Sequence, residues 1–394
     1  MLPSVLALIV GRWSDEHGRK WPLTISAIGM AVCYSMYLVL TYFSRFCSTN
    51  LWILFLPSIP VALGGSLPVF MMASFSYLGD IMLINKSSKK ETLYRFLICE
   101  ACCAFGAPIG VFLGGVLFQH YGYWPVYLAA AVIEYLAAIY CVIRIRNDSV
   151  NMAAYRLDEQ AQLYKMNEKY ISVSRKNHLS SIVTFFKRML KACFRSREGR
   201  LRTILIVMVI CQAIATANYN LGSAIDYVYI KYKLGWSMKT FTEWKASYIA
   251  VAALGGVTIA PLLGNCFSEP LQASLAFLLN SIFTFLIGSV SVNSTWLIWI
   301  SLIFPFLFLV PTSVARTMVT RIVTVDELGS VFGLISFIGG LTPMIMSTAG
   351  SSIFKYAVSN SINVGIVYFF ASSLHLVGYS LCLYIDFLFK ICPF

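Results

Sequence analysis

Five ionisable residues sit inside or at the ends of long apolar runs: Glu100, Glu134, Asp226, Arg316 and His375. Setting a charge against lipid is costly, so such a group is a functional candidate by default. A carboxyl or imidazole in an apolar setting can take up and release a proton. A guanidinium there can hold an anion. Glu100 lies just over one turn into an otherwise uncharged run, where a buried carboxyl hydrogen-bonded to a neighbouring helix is the alternative reading. Arg316 closes a run on the expected cytoplasmic side, where a headgroup anchor is the alternative. Glu134 and His375 are mid-run, and either can titrate. His375, beside Ser372, Ser373 and Tyr379, also reads as a satisfied core group. Asp226 lies toward the outer end of its run, as a gate or an interface residue. A second cluster is contiguous: Gly11-Arg12-Trp13-Ser14-Asp15-Glu16-His17-Gly18-Arg19-Lys20, between apolar stretches at 2–10 and 21–43. It reads as a tight turn between membrane helices, with Gly18 free to take a left-handed conformation and the cations holding it on the cytoplasmic side.

Long helices must position these groups. Of the 394 residues, 58% are hydrophobic and only 12% charged, and the mean hydropathy is +0.75. A soluble domain carries about 25% charged residues. The pattern is that of an all-α polytopic membrane protein, because a β-barrel would show short alternating segments. Spans are expected at 21–43, 51–80, 96–118, 125–143, 203–230, 246–267, 271–292, 295–315, 329–354 and 363–388. Residues 1–10 supply a partial one. Pro57, Pro60, Gly64, Gly65 and Pro68 imply kinks or close packing in the span at 51–80. The region 145–202 is a basic central loop, and Ile182, Val183, Phe185, Phe186, Met189, Leu190 and Phe194 recur in it at helical spacing. That spacing predicts a basic amphipathic helix at the membrane surface. The net charge of +13 does not signal nucleic acid. All Lys and Arg except Arg45, Lys231, Lys233, Lys239, Lys245 and Lys355 fall on one side, the cytoplasmic side by the positive-inside rule.

The decapeptide resembles the loop between helices 2 and 3 of major facilitator superfamily transporters, G-x-x-(S/A)-D-x-x-G-R-(K/R). Four further stretches are similar to the proton-coupled folate transporter family, solute carrier family 46. They are Met1-Leu2-Pro3-Ser4 leading into Gly11-x-Trp13-Ser14-Asp15; Ala73-Ser74-Phe75-Ser76-Tyr77-Leu78-Gly79-Asp80; Tyr94-Arg95-Phe96 with Glu100-Ala101 and Gly114-Gly115; and Arg316 with Asp326-Glu327-Leu328-Gly329-Ser330-Val331-Phe332. They run in order over most of the chain. Asn218 stands where folate members carry a histidine, and Ser58 and Ser66 also depart, so the resemblance carries no folate specificity.

The resemblance implies a 6+6 helix architecture with transmembrane helix 1 and part of helix 2 missing, hence an N-terminally incomplete sequence. Its parts are an N-terminal half at 1–144, the central loop at 145–202 and a C-terminal half at 203–394. It implies a secondary transporter in the plasma or endolysosomal membrane, moving a small organic anion by alternating access with protons. A uniporter, an antiporter or a transport-inactive receptor of the same fold stays open. It links Glu100 to proton coupling and Arg316 to substrate binding or coupling; coming from opposite halves at similar depths, the two are expected as a pair that makes and breaks. It makes Gly11, Asp15, Gly18, Arg19, Lys20 and Asp80 a cytoplasmic gate, with Asp15 facing 329–331 and Arg19 paired with Asp80. The expected partners are a small solute, protons and the bilayer. No P-loop, His/Cys metal cluster or Ser-His-Asp arrangement is legible, so no enzyme, metal or cofactor is expected.

Overall fold

The computed structural model describes residues 2–43, 51–85, 87–145 and 200–391. The basic amphipathic helix expected at 182–194 lies outside them. Among the described residues there are helices and no strand, and nine helices are long and apolar enough to cross a membrane. The chain divides into two compact units. The first comprises Met1–Ser87, Leu117–Arg195 and Val323–Phe337; the second comprises Ser88–Val116, Ser196–Ile322 and Ile338–Phe394.

The first unit holds helices α1 (Leu2–His17), α2 (Lys20–Phe43), α3 (Ser58–Gly64), α4 (Ser66–Ile84) and α6 (Tyr123–Arg144), with the first turns of α12 (Val325–Ser359). The turn expected over Gly11–Lys20 is shorter than its motif. The helix continues to His17, and only Gly18 takes a positive φ, at 90°. The span expected at 51–80 is broken rather than merely kinked. Gly65 and Ser66 both have positive φ, which separates α3 from α4. Pro60 and Pro68 then fall in the first turns of their helices, where the missing N–H is harmless. Small residues let backbones approach in this unit. A Cβ on Gly11 would lie 2.5 Å from the Gly329 carbonyl oxygen, and one on Gly333 would lie 2.9 Å from that of Ala7. Ser26 fixes α2 to α3 by donating to the Gly64 carbonyl at 2.9 Å.

The second unit holds α5 (Lys89–Tyr121) except its last turn, then α7 (Leu201–Leu234), α8 (Met238–Leu263), α9 (Glu269–Ser289), α10 (Trp296–Ile300), α11 (Val310–Ile322), the rest of α12, and α13 (Ile366–Ile391). Ser237 and Ser268 cap α8 and α9 by accepting from Thr240 and Leu271. The external loop expected at 231–245 shrinks to Gly235–Ser237, because α7 runs on to Leu234 and α8 starts at Met238. Lys245 therefore belongs to a helix. Between α10 and α11 the chain tightens into a 3-10 stretch, Ser301–Leu307, around Pro305. Gly255 of α8 packs against it so closely that a Cβ there would collide with the carbonyl oxygen of Phe306. The core of this unit is apolar around Met208, Phe277, Val310, Met318 and Ile385, and aromatic around Tyr229, Trp244, Tyr248, Phe283 and Tyr368.

Gly255→Ala should lower the thermal midpoint of the purified protein by several degrees, because only backbone could yield to the added methyl. Gly339→Ala should leave it unchanged or raised, since its Cβ would meet the Thr216 methyl at an ordinary 3.9 Å.

Candidate functional site

In the first unit the decapeptide builds a buried ionic cluster. Ending α1 at His17 and turning at Gly18 puts Asp15 and Arg19 side by side. The Arg19 Nη2 donates to Asp15 Oδ1 at 2.7 Å, and Nε donates to Asp80 Oδ2 at 2.8 Å. Nη1 donates to the Ser14 hydroxyl at 2.5 Å, which in turn donates to the Gly11 carbonyl at 2.7 Å. Asp15 reaches into α12. Its Oδ1 accepts from the Gly329 N–H at 2.7 Å, and its Oδ2 accepts from the Ser330 N–H and hydroxyl, each at 3.0 Å. Asp15, Arg19 and Asp80 are 3%, 4% and 2% exposed.

The expected contact of Asp15 with 329–331 is present, but its physics differs from that of a helix N-terminus. α12 starts at Val325, so Asp15 meets its second turn, beyond the range of the dipole's end effect. The contact rests on charge-assisted hydrogen bonds. Only glycine at 329 leaves room for it, since a Cβ there would overlap the Asp15 carboxylate and the Arg19 guanidinium. Lys20 opens α2 and is half-buried.

Burial pushes the Asp15 carboxyl up from 3.8 to about 6, against the pull of the Arg19 charge and the hydrogen bonds from Arg19, Gly329 and Ser330. Burial also disfavours the Arg19 charge, but Asp80 and then Asp15 outweigh it and hold the guanidinium above its ordinary range. Two carboxylates share one guanidinium, so a single proton on Asp15 neutralises the cluster.

In the second unit α5 and α11 bring Glu100 and Arg316 into direct contact, as an ion pair through Nη1 and Oε1. The other carboxylate oxygen, Oε2, accepts from the Thr312 hydroxyl. Arg316 does not end its helix as expected. α11 continues to Ile322, and Arg316 is largely buried within it. The residue at that end is Arg321, in a bidentate pair with Glu269 at 2.6 and 2.7 Å. Thr312 was not singled out from the sequence. Its spacing of four from Arg316, one helical turn on the same face, was the available signal.

Asp226 is also paired. It accepts from Lys245 Nζ at 2.5 Å and from the Tyr368 hydroxyl at 2.6 Å. His375 is buried and lines a small cavity that Asp226 shares. Glu134 is half-buried on α6, and no hydrogen bond or ion pair to it is found among the described residues. No group of three or more metal-ligating side chains occurs among the described residues either.

The Asp15 contact carries a pH signature with a defined sign. A carboxyl that titrates near 6 when this contact is closed, and near 4 when free in water, favours the closed form as pH falls. The gain is lost as pH rises through about 6. Hydrogen-exchange protection of 325–337, corrected for intrinsic rates, should therefore increase between about pH 7.5 and about pH 5.5. Asp15→Asn should flatten that response, and protection that falls on acidification would contradict this account of the cluster.

The chain matches the Major Facilitator Superfamily over residues 1–347. It is 23% identical to a Drosophila melanogaster protein described as "Probable peptidoglycan muropeptide transporter SLC46", over 96% of this chain and 70% of that protein. It is 23% identical to the Gallus gallus "Lysosomal proton-coupled steroid conjugate and bile acid symporter SLC46A3", over 96% of this chain and 74% of that one. In fold it resembles the human organic anion transporter MFSD10, with a TM-score of 0.68 at 15% identity, over 97% of this chain and 81% of that one. With its apolar helices and this match over most of its length, the chain belongs to the major facilitator superfamily and is an integral, multi-pass membrane transporter rather than an enzyme.

Proposed function

We propose that this protein is a proton-coupled symporter of a small organic anion, with Glu100 and Arg316 as the coupling pair. The observation that carries this reading is the buried contact of Glu100 with Arg316 and Thr312. The pair is neutral as it stands. A proton on Glu100 alone strands the guanidinium charge, and an anion on Arg316 alone strands the carboxylate. Either leaves an uncompensated buried charge, a state that costs about 3–5 kcal/mol. A proton and a monovalent anion together restore neutrality: Glu100 becomes a carboxylic acid beside Thr312, and Arg316 takes the anion. Each ligand then raises the affinity for the other by the same factor.

The relatives support the reading. One is described as carrying steroid conjugates and bile acids with protons, and the structural neighbour as carrying organic anions. A carboxylated or sulfated solute fits the bidentate geometry of a guanidinium. The membrane is the plasma or endolysosomal one. In this scheme the Asp15–Arg19–Asp80 cluster seals the cytoplasmic side in one state and breaks in the other.

Uptake of a radiolabelled steroid sulfate or bile acid into proteoliposomes tests the pair. An acidic exterior should drive accumulation by the wild type. Glu100→Gln should lose at least about tenfold of the gradient-driven uptake yet retain exchange of labelled for unlabelled anion, because a neutral residue 100 mimics the protonated pair. Arg316→Gln should lose both activities. Gradient-driven uptake by Glu100→Gln at the wild-type rate would sink the assignment.

A further inference from the structure

A second polar feature of the second unit takes no part in this scheme. α7, α8, α9 and α13 enclose a cavity of about 40 Å³. Three uncharged or weakly basic side chains from three helices line it: Asn218 of α7, Asn280 of α9 and His375 of α13. They are 6%, 2% and 3% exposed. Four of their polar atoms have no hydrogen-bond partner among the described residues: Asn218 Nδ2 and Oδ1, Asn280 Oδ1 and His375 Nδ1. Such atoms are rarely left unpaired in a folded protein, and four around one cavity amount to a coordinated demand for donors and acceptors. The same cavity is lined by Asp226, Lys245 and Tyr368, which satisfy one another.

We infer that this cavity is an internal water site, holding two or three waters that join His375, Asn218 and Asn280 to the Asp226–Lys245–Tyr368 network. Its size fits, since one water needs about 10–15 Å³ by this measure. Its chemistry fits as well. Water can donate to the two amide oxygens, accept from Asn218 Nδ2 and meet His375 Nδ1 in either tautomer. The charged neighbours argue against an ion. The Lys245 ammonium opposes a cation, and the Asp226 carboxylate opposes an anion. An organic solute does not fit the volume. The waters would supply a hydrogen-bonded path through the unit from the Asp226 ion pair to a histidine in the middle of α13. The inference does not depend on the Glu100–Arg316 scheme.

Radiolytic hydroxyl labelling of the full-length protein in nanodiscs tests it, because radicals made from bound water oxidise the side chains beside them. Tyr248 and Phe283, buried and lining the cavity, should label in milliseconds and carry 18O after brief exposure to labelled water. Buried Phe332, in the first unit and outside the lining, gives the background. Labelling of Tyr248 and Phe283 at the Phe332 rate would overturn the site. The sign of a stability change gives a second test. In a wet cavity Asn280→Leu removes a partner of bound water and should lower the thermal midpoint by several degrees. In a dry one the same change removes an unsatisfied oxygen and raises it, and a rise would also overturn the inference.

Discussion

A charge taken out of water must find a partner, and in this chain that requirement ties distant segments together. Arg19 lies between Asp15 and Asp80 and so joins the end of α1 to the end of α4. Glu100 and Arg316 join α5 to α11, Asp226 and Lys245 join α7 to α8, and Glu269 and Arg321 join α9 to the end of α11. Van der Waals packing among helices in lipid has no hydrophobic drive behind it. Breaking a buried pair, by contrast, exposes two charges to a low dielectric at once. These pairs therefore hold the helix contacts firmly.

Backbone proximity is the second requirement. The Asp15 carboxylate reaches the N–H groups of Gly329 and Ser330 because Gly11, Gly329 and Gly333 let α1 and α12 approach. The motif supplies charge and α12 supplies room, and neither suffices alone. Burial at this contact also raises the Asp15 carboxyl.

The sequence made much of this legible, and the parts it did not are instructive. Apolar runs disclose spans because lipid tolerates little else, and Gly18 disclosed its turn because few other residues take a φ of 90°. Charge is a poor marker of where these helices end. α11 carries Arg316 and goes on to Ile322, and α8 carries Lys245 well past its start. In both cases a buried acid from another helix makes the cation acceptable, and the register that brings such partners together is a tertiary fact. Asn218 stands out in the sequence only as a departure from the histidine of folate members, and Asn280 not at all, because uncharged amides in membrane helices commonly serve packing. Only their shared cavity, with His375 and the Asp226 network, sets them apart.

The neutrality of the Glu100–Arg316 pair leads to the central claim, that one proton accompanies each monovalent anion. The most direct measurement follows luminal pH and membrane current together in proteoliposomes holding the purified protein and a pH dye, on addition of a monovalent bile acid or steroid sulfate outside. The account predicts luminal acidification that tracks anion uptake, with no net current and no dependence on membrane potential. Anion uptake that leaves luminal pH unchanged and carries current would contradict it.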